Sequence, residues 1–240
     1  MTIDNDDVVV DDLSYRGNMN ALQRTELGPS STPYNVDSAP LAYFQTLYLL
    51  NDTTADAYNF ANEFAEEYCE GLRIDVANYI SKNGYLQELM SDEYIQFYYG
   101  DTLSHLTKHG QQWKYVCEMW KSTSSPKNSR LHFNSVGILA IAMCENRSIT
   151  IVPDEGCVLF YPINDCDAHD DETGIGLMRS ELCPGAFECS VGDMAFIPAE
   201  GLEEDAVVLR WDGVYHYWCT APYIIVSDLK VRKISFTPRY

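Results

Sequence analysis

Two periodicities divide the chain. From residue 40 to 120, apolar residues return every three to four positions, the spacing of a helix face. Thr53 or Thr54 supplies a cap and Asp56 a first-turn carboxylate, where a negative charge meets the helix dipole favourably. Phe60, Phe64, Tyr68 and Leu72 then recur at four-residue intervals, with Ala57, Ala61 and Ala65 beside them. Glu63, Glu66, Glu67 and Glu70 fall mainly on the opposite side. The pattern continues through Ile74 and Val76 to Ile80 and stops at Asn83-Gly84, a turn signal. A second helix is predicted beyond it, with Leu86, Leu89, Met90, Tyr94, Phe97 and Tyr98 inward. Asp101 opens a third, which ends before Gly110.

Residues 121–130, KSTSSPKNSR, are small, polar and basic and read as a linker. After it the period changes to two. Val136–Cys144, Ser148–Val152, Cys157–Tyr161, Asp193–Pro198, Ala206–Trp211, Val214–Thr220, Tyr223–Ser227 and Leu229–Phe236 are predicted strands. Eight short strands without intervening helices predict an antiparallel sandwich or jelly roll. Residues 1–33 are acidic, with five Asp before Leu13, and end in Gly28-Pro29-Ser30-Ser31-Thr32-Pro33, so they read as an extended arm. It is either a disordered tail or a segment that orders on a neighbouring copy. The predicted fold is therefore α+β: an arm (1–33), a helical layer (34–120), a linker (121–130) and an antiparallel, jelly-roll-like β-sandwich (131–240), packed as one compact domain.

Charge narrows the function. Of 240 residues, 36 are Asp or Glu and 16 Lys or Arg, a net charge of −20. Phosphate recognition needs basic clusters, so a nucleic-acid binder is not expected. Docking on an anionic membrane is disfavoured for the same reason. No apolar run approaches the roughly 20 residues of a spanning helix. The acidic start, MTIDNDDVVVDD, has no signal-peptide character, so an intracellular protein is expected. Eight cysteines include no C-x-x-C spacing. They act as small hydrophobes or, in an oxidising place, as disulfides.

Catalytic patterns are sparse. Gly174-Ile175-Gly176 lacks the third glycine of a dinucleotide loop. His105 and His109 share a helix face, but Leu106 stands where a metalloprotease has Glu. Asp165, Asp167, Asp170, Asp171 and Glu172 crowd five carboxylates into eight residues. They form either a solvated acidic loop or a weak oxygen-ligand site for Ca²⁺, without the glycine-turned spacing of a helix-loop-helix site. No catalytic residue and no cofactor is assigned.

Gly192–Gly201, GDMAFIPAEG, resembles the second signature stretch of cupins, but the metal-binding His of that family is missing and no His-x-His stands upstream. The resemblance implies at most a metal-free, cupin-like binding protein. Further phrases resemble the polyhedrins of cypoviruses. They are Arg130-Leu131-His132-Phe133-Asn134-Ser135 leading into Ile138–Met143, Val152-Pro153-Asp154-Glu155, Glu172-Thr173-Gly174-Ile175 and Val214-Tyr215-His216-Tyr217-Trp218. Pro29–Ser31 with Tyr34–Ala39, and Asn78–Tyr85, are similar to polyhedrin segments that follow the sandwich in that family rather than precede it.

The polyhedrin resemblance implies a self-assembling viral matrix protein without an active site. It would form occlusion bodies in the cytoplasm of an infected cell, with itself and virus particles as partners. It also implies that a nucleotide can be held in the crystal, although no residue here identifies such a site. The chain's 17 tyrosines and eight cysteines offer a route to alkaline dissolution. Ionising near about pH 10 and about 8.5, they would add about 25 negative charges to the −20. The candidates for this switch are Tyr94, Tyr98, Tyr99, Tyr215, Tyr217 and Tyr240. At neutral pH, lattice contacts would pair acidic segments with Lys121, Lys127, Arg130, Arg232, Lys233 and Arg239. The competing expectation is an acidic interaction protein, a DNA mimic or an immunity-type inhibitor of a basic partner, steered by its charge.

Overall fold

The computed structural model describes residues 37–51, 55–103, 111–122, 130–153, 157–164, 177–189, 207–213, 217–219, 223–226 and 230–233. Helices α1 (Ser38–Asn51), α2 (Ala55–Ile80), α3 (Gly84–Leu89), α4 (Asp92–Tyr99), α5 (Gln112–Lys121) and α6 (Ser135–Cys144) precede strands β1 (Ile149–Pro153), β2 (Val158–Tyr161), β3 (Leu177–Arg179), β4 (Phe187–Cys189), β5 (Val207–Trp211), β6 (Tyr217–Cys219), β7 (Tyr223–Val226) and β8 (Lys230–Lys233). The chain is thus α+β, helices first. No helix among the described residues is long and apolar enough to cross a membrane. The predicted arm, His105, His109, the acidic residues 165–172, most of the linker, Gly192–Gly201, Tyr215 and Tyr240 lie outside the described residues.

Helix α2 buries a face different from the predicted stripe. Leu72 is buried, but Phe64 is 40% exposed and Tyr68 only half-buried. The core face is made by Ala65, Cys69, Leu72, Val76 and Ile80. Small side chains at 65 and 69 let α1 approach through Leu41 and Phe44, which puts Phe64 outside. The single helix predicted after Gly84 is two. Asn83 caps α3 by accepting from the Leu86 amide, and Ser91 caps α4 by accepting from the Tyr94 amide. The break rotates the register, so Tyr99 is buried and Phe97 is 75% exposed. The third helix expected from Asp101 begins as a single 3₁₀ turn, Gly100–Leu103.

The largest correction concerns Val136–Cys144, predicted as a strand and folded as α6. Its run is apolar on every side, and periodicity cannot separate a buried strand from a buried helix. Asn134 decides it locally. Its side chain accepts from the Gly137 amide at 2.9 Å, an N-cap immediately before the run. Ser135 to Ala142 are all buried, and each large apolar side chain there contributes roughly 2 kcal/mol. The change of period therefore falls near Ser148, not at residue 131.

Six strands form one sheet in the order β3-β4-β2-β1-β5-β6. It is mixed rather than antiparallel throughout. β1 runs parallel to β5, with Ile149 beside Val207 and Ile151 beside Leu209, while the other pairs are antiparallel. Ile149 to Val152 are buried at every position, as in a central strand covered on both faces. Helix α6 packs on β1 and β2, and α1 on β5 and β6. β7 and β8 form a separate antiparallel ribbon.

Candidate functional site: a tyrosine clamp on the segment entering α6

Residues Arg130–Asn134 are irregular, and Ser135 opens α6. A buried irregular segment must find partners for its polar groups. Here they come from four surrounding elements. Arg73 of α2 donates from Nη1 to the Leu131 carbonyl at 3.0 Å and lies over the Phe133 ring at 5.0 Å. The His132 carbonyl accepts from the Tyr99 hydroxyl at 2.6 Å and from Trp120 Nε1 at 3.1 Å. The Phe133 carbonyl accepts from Tyr98 at 3.1 Å, and the Phe133 ring meets Trp120 edge-on at 4.7 Å.

Ser135 completes the set. Its amide donates to the Tyr94 hydroxyl at 3.1 Å. Its own hydroxyl donates to the Pro184 carbonyl at 3.0 Å and lies 2.9 Å from the Tyr161 hydroxyl. A serine has one hydroxyl hydrogen, so Tyr161 is the donor in that contact. Tyr94, Tyr98, Tyr99 and Tyr161 thus bind three residues of one short stretch, His132, Phe133 and Ser135, and need their phenols neutral where they donate.

Burial keeps Tyr94, Tyr99 and Tyr161 neutral. Burial pushes the phenols of Tyr94, Tyr99, Tyr161 and Tyr217 well above the usual tyrosine value. Neighbouring groups add to the rise: Tyr98 at Tyr94, Tyr99 and Tyr217, and the Cys183 thiol at Tyr161. Tyr217 stacks on Trp211, and its amide donates to Ser38 at 3.3 Å, tying α1 to the sheet edge. Tyr43 and Tyr68 are pushed upward by burial as well. Burial also raises the Cys183 thiol, against hydrogen bonds with Ser180 and Ser135, and lifts Cys117 to about 12.

An ionic knot lies beside the clamp. Asp37 Oδ1 accepts from Arg73 Nε at 2.5 Å, and Asp37 Oδ2 lies 3.6 Å from Arg130 Nη1. Arg130 Nη2 donates to Glu70 at 3.1 Å. Arg130, expected at a lattice contact, is therefore buried inside its own chain. Lys121, another expected contact, lies 3.4 Å from Glu118.

Four switch candidates, Tyr94, Tyr98, Tyr99 and Tyr217, lie in the described residues and share one core; Tyr98 alone of them is only partly buried. Ser135, Tyr161, Asp37 and Arg73 belong to the same construction and were not singled out from sequence. The one available signal was Arg130–Ser135 itself, whose alternating polar and apolar residues precede an unbroken apolar run. Among the described residues, no group of three His, Cys, Asp or Glu side chains stands ready to hold a metal. Among the described residues, Cys117, Cys144, Cys157 and Cys183 are in no disulfide, and Cys69 and Cys117 are buried as small hydrophobes. The site is equipped to hold a backbone in place with neutral hydroxyls. In comparisons with known proteins, the chain matches no family model, no curated protein and no solved structure.

Proposed function

We propose that the chain is a structural protein that assembles with itself into intracellular crystals, an occlusion-body matrix of the polyhedrin kind. It would surround virus particles in the cytoplasm of an infected cell and release them in alkali. The observation that carries this reading is the clamp. The phrase Arg130–Ser135, one of those that carry the polyhedrin resemblance, is the segment where four tyrosine hydroxyls converge. The finer architecture belongs to the same proposal, with the sheet as one layer of a jelly-roll-like sandwich and residues 1–33 as an arm ordered on a neighbour.

The clamp also refines how alkali would act. Phenols held neutral by burial do not charge an intact surface. They ionise when the fold opens, so release is coupled to unfolding, with surface carboxylates supplying the repulsion that separates the molecules. The role needs no catalytic residue, metal or cofactor. The test is expression of the full chain alone in insect cells. Intracellular crystals that clear near about pH 11 are expected; a soluble monomer that never crystallises overturns the proposal.

A further inference from the structure

We infer that the Asn83-Gly84 link is a site of self-modification, where the chain converts its own asparagine to isoaspartate whenever the first turn of α3 opens. This property holds whether or not the chain assembles with itself.

Asn83-Gly84 is the only Asn-Gly pair in the chain. Such a pair suits a turn in which glycine adopts positive φ. The fold does not use it so. Among the described residues, the glycines with positive φ are Gly100, Gly185 and Gly213, whereas Gly84 is the first residue of α3. A Cβ built on Gly84 meets nothing within 4 Å. Neither backbone nor space requires glycine there, and in a helix it is less favourable than alanine. What the missing side chain does change is the chemistry of Asn83. Nothing on the Gly84 Cα hinders the approach of its amide nitrogen to the Asn83 carboxamide carbon.

Two features favour that reaction and two restrain it. Gly84 is exposed and Asn83 half-buried, so water has access. As the first helical residue, Gly84 has an amide that the helix does not engage. Against this, Asn83 is extended, with φ −115° and ψ 105°, which turns the Gly84 nitrogen away from the side chain. Its Oδ1 accepts from the Leu86 amide at 3.1 Å, which fixes the carboxamide over the helix end. Both restraints belong to the cap and are lost together when the turn opens. α3 is six residues long, too short to persist without its packing. Its anchors are Leu86, fully buried, and Leu89, half-buried beside Gly185.

In the open state the Gly84 nitrogen attacks Asn83 Cγ. A Cγ–N bond forms, the Cγ–Nδ2 bond breaks, and the Gly84 amide proton departs with Nδ2 as ammonia. The cyclic imide then takes up one water. Opening at Cγ leaves aspartate in a normal chain; opening at the backbone carbonyl routes the chain through the side chain, as isoaspartate. No reactant beyond water takes part. Aspartate keeps an acceptor for the Leu86 amide. Isoaspartate has spent its side chain on the backbone, so α3 does not regain its cap and the mark is permanent.

The test incubates the full-length protein at neutral pH, maps its peptides by mass spectrometry and scores isoaspartate with isoaspartyl methyltransferase. Folded wild type is expected to convert Asn83 at least about tenfold more slowly than the same chain in urea, the ratio set by local opening. Leu89→Ala, which loosens α3, speeds conversion several-fold in the folded protein and leaves the rate in urea unchanged. Circular dichroism checks that this variant is folded; should it unfold, urea below the wild-type transition loosens α3 instead, with the same acceleration expected. Gly84→Ala, a change into open space, slows conversion at least about tenfold in both conditions. Asn78, inside α2 and followed by Tyr79, is the internal reference. Equal rates for folded and unfolded wild type overturn the inference. So does an Asn83 that stays intact when α3 is loosened, or one that converts as fast in Gly84→Ala as in wild type.

Discussion

The phenol of Tyr99 reaches across from α4 to the carbonyl oxygen of His132, 2.6 Å away and 33 positions along the chain. That carbonyl also accepts from Trp120. Tyr99→Phe removes one donor but leaves the acceptor satisfied. It is expected to cost about 1 kcal/mol, seen as a lower urea midpoint with an unchanged slope. Tyr161→Phe should behave alike, since Ser135 keeps Pro184. A midpoint equal to wild type for both would mean that the clamp does not hold the segment.

Asp37 predicts a sharper asymmetry. Asp37→Ala strands the Arg73 guanidinium, which is buried, and is expected to destabilise by about 3–5 kcal/mol. Glu70→Gln touches a half-exposed partner of Arg130 and should cost less than about 1 kcal/mol. Thermal unfolding of the two variants side by side checks this; equal losses contradict it.

Alkaline behaviour follows from the raised phenols. The unfolded chain's tyrosines ionise near about pH 10, whereas those of Tyr94, Tyr99, Tyr161 and Tyr217 do so only higher in the fold. Their contribution to stability is complete below about pH 10. Above it, the unfolded state releases protons that the folded state retains, and stability falls by up to about 1.4 kcal/mol per pH unit for each. Four such groups remove about 5 kcal/mol within the first unit, comparable to a domain's whole stability. Tyrosinate absorbance from these residues is expected to rise together with loss of circular dichroism, in one cooperative step. Absorbance that rises fully before the fold is lost would refute the coupling.

Two glycines give a paired test of packing. Gly185 has φ +82°, and a Cβ there would stand 2.4 Å from Leu139 Cδ2 of α6. Gly213 has φ +84° with nothing within 4 Å. Gly213→Ala should cost about 1 kcal/mol from conformation alone. Gly185→Ala adds overpacking and should cost about 2–4 kcal/mol. Differential scanning calorimetry of both variants decides; similar shifts in Tm would show that the turn at Gly185 is not packed on α6.

What could be read from the sequence was what local pattern encodes. The helix break before Gly84, the helix over Ala55–Ile80 and strands β1, β2, β5, β7 and β8 follow from periodicity and turn chemistry. The identity of α6 did not, because a run buried on all sides has no polar face to set its period. Phe64 and Phe97 were misplaced for a tertiary reason: small residues elsewhere on α2, and a cap at Ser91, decided which face turned inward. β3 and β4 are three residues each, too short for any pattern. The tyrosine clamp was half legible. Tyr94, Tyr98, Tyr99 and Tyr217 stood out by clustering, but their carbonyl partners are joined to them only by the fold. Ser135 and Tyr161, separated by 26 positions, carried no signal of their meeting.

The parallel seam between β1 and β5 has a consequence for how the molecule is made. Ile149 and Val207 must become neighbours, so the centre of the sheet closes only after the ribosome has delivered the stretch between them. Until then α6 and β1 stand among the most apolar segments of the nascent chain, with one flank unclosed. Long-range parallel pairing of this kind is slow and leaves such surfaces available to other chains. Yield in the cell is therefore expected to depend on chaperone capacity and synthesis rate, more steeply than the protein's equilibrium stability would indicate.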